Sequence, residues 1–332
     1  MRRLVPFFFL INFYTFGQTT TEHKTMYRQA FEEQKAMLEG KKPMNFKRSV
    51  FLVENAYHKN TLNYQQFSQQ ITDLGKILKG MIQKQGFQKF KTAGNWATFT
   101  FMTDTIPENN FKPYSYDFED FYGKKDYTKQ FVTKLMKTKS GNCHSLPVLY
   151  KLLCNEIGYP AYLALAPNHC YIKHPSEKGP WTNVEMTNAS FPRDQWLIKT
   201  SAITVESIKK GVYMSALTPK EEIAFTFFDL ANSYKYSYGY DKFFMEIARA
   251  GLKYYPNSME LNTILSNCLL DWINKEKQKT KPNIAYANKL INEYKVLYAK
   301  IDALGYKEMT KEQYDSWMKS MEKEKKKRQS AK

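Results

Sequence analysis

The chain has 332 residues, 42% of them apolar and 16% aromatic, with 50 Lys and Arg against 32 Asp and Glu. That aromatic content excludes a disordered chain, and no apolar stretch reaches the roughly 18 residues that a membrane-crossing helix needs. The length suits about two domains. The net charge of +18 is spread as single lysines rather than an arginine stripe, so a basic surface is expected and no specific nucleic-acid site.

Met1-Arg2-Arg3 precedes an apolar run over residues 4–16, interrupted only by Asn12 and Thr15, and then Gly17 and a polar stretch. Basic start, short apolar core and small residues at −3 (Thr15) and −1 (Gly17) are the layout of a secretory signal peptide over 1–17. The Phe16-Gly17-Gln18 ending is similar to that of exported proteins of Bacteroidetes-type bacteria. A periplasmic or secreted protein of a Gram-negative cell is therefore expected, with no transmembrane segment after cleavage. The cysteines are Cys143, Cys154, Cys170 and Cys268. Cys154 and Cys268 sit in apolar helical runs and read as small buried hydrophobes.

Helical spacing is expected over 25–40, 48–56 and 63–84. Residues 87–122 are aromatic and irregular, broken at Pro107 and Pro113, with strand character at 96–101 (WATFTF). Helix returns over 126–137. Residues 145–157 form a strong apolar helix that Gly158 closes. Residues 160–166, 169–173 and 181–187 read as strands, with loop chemistry at 174–180. From 218 the pattern is helical: 223–236 with 240–254, and 259–276 with 283–304. The first pair resembles a degenerate tetratricopeptide repeat through Leu230, Tyr234, Tyr240, Ala250 and Pro256. The last 28 residues, 305–332, read as a basic helix end or tail.

The chemistry centres on residues 141–188. Cys143 follows Gly141-Asn142 and opens a helix, where the dipole and unpaired backbone N–H groups stabilise a thiolate. Those N–H groups also suit an oxyanion. A thiolate nucleophile needs an imidazole beside it, and the imidazole needs an orienting acceptor. A hairpin centred on Glu177 would set His169 directly across from Glu185 on one sheet face. Zinc at Cys143, His144, His169, Cys170 and His174 is disfavoured, because neighbours in a strand point to opposite faces and no C-x-x-C pair exists. His144 is expected to be a solvent or helix-cap side chain, and Trp181 and Trp196 to pack in the core.

Gly141-Asn-Cys143-His-Ser, the apolar helix after it and Gly158-Tyr-Pro-Ala161 resemble the Cys block of the transglutaminase-like superfamily. Asn168-His169-Cys-Tyr-Ile resembles its His block, and Asn183-Val-Glu185-Met-Thr187 its third block, with Glu where Asp is commoner. The resemblance covers about 50 residues. It implies Cys143 as nucleophile, His169 as base and acid and Glu185 as orienter, and no cofactor or metal. It also implies an α+β fold: a papain-like helix-plus-antiparallel-sheet core over 18–215 that includes an N-terminal helical region, then an α-hairpin module over 216–304. The expected function is an exported thiol enzyme that attacks peptide or amide carbonyls, as a peptidase, amidase or transamidase, with a peptide or protein substrate. The alternative is an inactive scaffold that binds a protein partner on its helical hairpins.

Overall fold

A computed structural model describes residues 12–307 and isolated positions beyond them. The expected signal peptide and basic tail lie largely outside the described residues. The first helix, α1 (Asn12–Leu38), contains the expected cleavage point after Gly17, and from His23 onward it carries buried side chains. Eleven more α-helices are described: α2 (Phe46–Tyr57), α3 (Tyr64–Lys84), α4 (Ala93–Thr103), α5 (Val132–Thr138), α6 (Ser145–Ile157), α7 (Asp194–Thr200), α8 (Val205–Lys209), α9 (Pro219–Tyr238), α10 (Lys242–Tyr254), α11 (Met259–Lys277) and α12 (Ile284–Ala303). The strands are short: β1 (Ser115–Tyr116), β2 (Ser140–Gly141), β3 (Tyr162–Ala166), β4 (His169–His174) and β5 (Thr182–Val184). No described helix is long and apolar enough to cross a membrane.

Helix makes up 61% and strand 7% of the structure, which corrects the expected α+β class: the protein is mostly helical. Part of the error lies at WATFTF, which is inside α4 and not a strand. Ala97 and Phe101 are buried and the intervening positions are largely covered too. A helix covered on most sides loses its 3.6-residue polarity pattern, and its Thr and aromatic residues then mimic a strand.

Helix α6 is the central element. Leu146, Val148, Leu149, Tyr150, Leu152, Leu153, Cys154 and Ile157 are all buried, which leaves most of its circumference apolar. It packs against α3, α4, α5 and the sheet of β3, β4 and β5. Gly158 ends it in the left-handed region at φ +81, where a Cβ would be strained, and the Tyr159 N–H returns to the Cys154 carbonyl at 3.0 Å.

The three-stranded sheet is antiparallel in the order β3-β4-β5. The outer edge of β3 is occupied by an extended segment, with Met214 N–H donating to Leu165 O and Leu217 N–H to Leu163 O, both at 2.9 Å. The β4–β5 register pairs Ile172 with Val184 and Lys173 with Asn183. The expected register, with His169 facing Glu185, is therefore slipped by two residues. A two-residue slip keeps every side chain on its own face.

Helix α9 starts on a capping box. Thr218 Oγ1 accepts from Glu221 N–H, Glu221 returns to Thr218 N–H, and Pro219 fills the first helical position. From there α9 packs on α1, α2, α10 and α11. The buried apolar side chains from α1 through α12 form one continuous cluster.

Candidate active site

Cys143 stands where β2 turns into α6. Asn142, fully buried, holds that turn: its Oδ1 accepts the N–H groups of His144 and Ser145, both at 3.0 Å, and its Nδ2 donates to Phe121 O at 2.9 Å. The Asn142 carbonyl also accepts the Leu146 N–H at 3.2 Å, so Asn142 braces the turn that leads into α6, and Cys143 lies in that turn, two residues before the helix begins at Ser145. The Cys143 N–H makes no hydrogen bond among the described residues and is free to receive an oxyanion. Gly141 is needed for close approach, because a Cβ there would sit 2.6 Å from Ser145 Oγ and 2.8 Å from Leu135 Cδ1.

His169 begins β4 and Glu185 follows β5. The register sets them diagonally, about 7–8 Å apart at the backbone rather than face to face. The longer Glu side chain closes that gap: His169 Nε2 is 2.5 Å from Glu185 Oε2. The other carboxylate oxygen accepts Thr187 N–H at 2.7 Å. The Glu185 backbone exchanges hydrogen bonds with Ser190 at 2.8 and 3.0 Å, which closes a tight turn. Glu185 is 5% exposed, so its carboxylate is shielded from bulk solvent.

Burial opposes a charge on His169, but the Glu185 carboxylate and the hydrogen bonds to Cys143 and Glu185 outweigh it and hold the ring well above the ordinary imidazole range. The same ion pair keeps Glu185 below the usual carboxylate range despite its burial. Since Nε2 is taken by Glu185, Nδ1 is the nitrogen left for the sulfur. Tyr171, two residues on and on the same face, lies parallel to the His169 ring at 6.4 Å and backs it. Cys170 is buried on the opposite face, where burial pushes its thiol well up.

The structure thus brings Cys143, His169 and Glu185 together. Cys143 is partly exposed and the His169 side chain is 22% exposed, while the Glu185 side chain is 6% exposed.

Sequence reasoning missed Tyr116. The parallel β1–β2 pair sets Tyr116 beside Gly141, and its phenol is close enough to the Cys143 side chain for the two to interact. Burial, then the Cys143 sulfur, push the phenol far above its usual range, so it stays a neutral O–H donor. A two-residue strand leaves no periodic signal, so nothing in the spacing marked it.

The other candidates divide. His144 is not a solvent side chain: its ring is buried, with Nδ1 3.2 Å from Gln130 O and Nε2 2.9 Å from Asp229 Oδ1 on α9. Trp181 and Trp196 are exposed at 46% and 48%, not core. His174 Nδ1 faces the Pro175 carbonyl at 3.0 Å. Among the described residues no group of three His, Cys, Asp or Glu side chains could hold a metal ion, and the four cysteines are unpaired.

No family model matches the chain, and no curated protein matches it. One solved structure with similarity over 77% of this chain is that of menin, described with its binding site for the Mixed Lineage Leukemia (MLL) protein. The identity is 12% and the TM-score 0.35, and the match spans 66% of the menin chain. At that TM-score the likeness has no bearing on the site.

Proposed function

We propose that this protein is an exported thiol-dependent acyl-transfer enzyme of transglutaminase-like type, acting on peptide or amide carbonyls. The observation that carries the reading is the line from a buried, doubly hydrogen-bonded carboxylate (Glu185) through an imidazole (His169) to a partly exposed thiol in the turn before α6 (Cys143). The resemblance of the three blocks to that superfamily supports it.

In this reading His169 carries the proton of the Cys143 thiol when the sulfur attacks. Cys143 Sγ adds to the carbonyl carbon, and the oxygen takes the negative charge. The free Cys143 N–H and the Tyr116 O–H receive that oxyanion. His169 then gives its proton to the leaving nitrogen, the C–N bond breaks, and a thioester remains on Cys143. Water or an amine, deprotonated by His169, attacks the thioester and restores the thiol. Glu185 keeps the ring oriented and its positive charge stabilised throughout.

The test is covalent. Iodoacetamide at pH 6 is expected to modify Cys143 selectively and fast, with no label in Cys143→Ser, and an activated peptide ester is expected to leave an acyl adduct on Cys143 that hydroxylamine removes. A Cys143 that labels no faster than a free thiol, and forms no adduct, leaves the inactive scaffold as the better account.

A further inference from the structure

His144, the residue after the nucleophile, does not share the nucleophile's surroundings. Its backbone N–H donates to Asn142 Oδ1, while its ring is turned inward and packs on Phe225, with centroids 5.9 Å apart. Both ring nitrogens face acceptors. Nδ1 is 3.2 Å from the Gln130 carbonyl oxygen, which has no proton to give. Nε2 is 2.9 Å from Asp229 Oδ1, in a contact that is close but poorly aligned for a hydrogen bond. Each side chain of that pair is 17% exposed. A neutral imidazole would turn a lone pair toward one of these oxygens, so the arrangement suits only the doubly protonated ring.

Among the described residues that line the cavity beside the ring, none other than His144 can carry a positive charge. That cavity of about 20 Å³, room for one water, is lined by Glu54 from α2, Tyr127 and Gln130 from the short helical turn Tyr127–Gln130, His144, and Asp229 from α9. The titratable groups that face His144 are therefore Asp229, Glu54, Tyr127 and, on its own segment, Cys143.

We propose that Asp229 holds His144 as an imidazolium, and that His144 is a positioning residue whose charge, on the residue next to the nucleophile, stabilises the Cys143 thiolate. The inference rests on the acyl-transfer reading and deepens it: two imidazole groups neighbour the nucleophile, His169 across the sheet edge and His144 next in the chain, and the second is set by a carboxylate of α9. Burial works against the His144 charge, but the Asp229 carboxylate and the Gln130 carbonyl overcome it and lift the ring to about 9. The lift has the sense that the geometry requires.

The experiment is the pH profile of Cys143 alkylation by iodoacetamide in the full chain, for wild type, Asp229→Asn and His144→Gln. In each variant labelling at pH 6 is expected to slow about tenfold and the profile to move up by about one pH unit, with the rate at high pH unchanged. A purely structural role would change the high-pH rate as well. The double variant is expected to be no slower than either single one, since both act through one charge. Nitrogen NMR of the wild-type ring gives an independent reading that needs no variant: His144 doubly protonated at pH 7. A neutral His144 ring at that pH overturns the inference. An acid-shifted wild-type profile that Asp229→Asn leaves in place also overturns it, while sparing the acyl-transfer reading. A wild-type profile like that of a free thiol overturns both.

Discussion

Lys151 and Glu222 form an ion pair inside the protein, Nζ to Oε1 at 3.1 Å, with side chains 7% and 3% exposed. It ties α6, which the nucleophile precedes, to the first turn of α9. Lys151 donates in addition to the Ala161 carbonyl at 2.5 Å, where β3 is about to begin. Helix, sheet and the C-terminal helices thus meet at one ammonium group.

Breaking that pair from one side leaves an uncompensated buried charge. Lys151→Met is expected to cost about 3–5 kcal/mol in urea unfolding, and Lys151→Met with Glu222→Met to recover much of it, because an apolar pair of similar volume removes both desolvation penalties. A single variant that loses under about 1 kcal/mol would show that water already reaches the pair.

Glu54 gives a stability that depends on pH. Its carboxylate accepts Val132 N–H at 2.7 Å and Thr133 N–H at 3.0 Å at the start of α5. Burial outweighs those bonds and pushes it up to about 7 from a reference of 4.5. A group raised in the folded state contributes fully below its unfolded value and loses that contribution as pH rises through the folded one. From pH 4.5 to 7 the wild type is expected to lose about 3 kcal/mol relative to Glu54→Gln, which cannot titrate. Glu222 (about 6) and Glu260 (about 7) titrate in the same sense, so the quantity to read is the difference between the two proteins. Parallel curves would mean that Glu54 is solvated.

Glu185→Asp tests the diagonal register. Shortening the side chain by one methylene withdraws the carboxylate from a ring it reaches only by its full length. Alkylation of Cys143 at pH 6 is expected to fall about tenfold or more, and at pH 9 to change little, because Glu185 serves to keep His169 charged. Equal rates at pH 6 would mean that the backbone moves to let the shorter acid reach.

Tyr116→Phe separates two chemistries at one sulfur. Acylation by an ester develops an oxyanion; displacement of iodide from iodoacetamide does not. The variant is expected to acylate about 10²–10³-fold more slowly while alkylating within about twofold of wild type. Equal loss in both reactions would assign Tyr116 to holding the thiol rather than the oxyanion.

The sequence carries the helix of α6 residue for residue, because an unbroken apolar run between a turn and a glycine admits few other readings. It also carries the convergence of Cys143, His169 and Glu185, because strand alternation fixes the face even when register slips by two. It does not carry the register itself, which depends on how the loop over residues 175–181 is spent. Nor does it carry Tyr116, placed by a two-residue strand, or Asp229, which reads as an ordinary polar position on a helix until its neighbour across the core is known.

The capping box at Thr218 launches a helix whose carboxylates, Glu222 and Asp229, answer positive groups on the segment that bears the thiol. A fragment cut before residue 218 would lose both counter-ions together with the helices that cover that face, leaving an ammonium and an imidazole unpaired beside a newly exposed apolar surface. Such a truncation should emerge from expression as insoluble material. The last third of the chain is thus part of the electrical circuit of the first two thirds, and swapping it for a foreign helical module would succeed only if the graft restored an acid at both places.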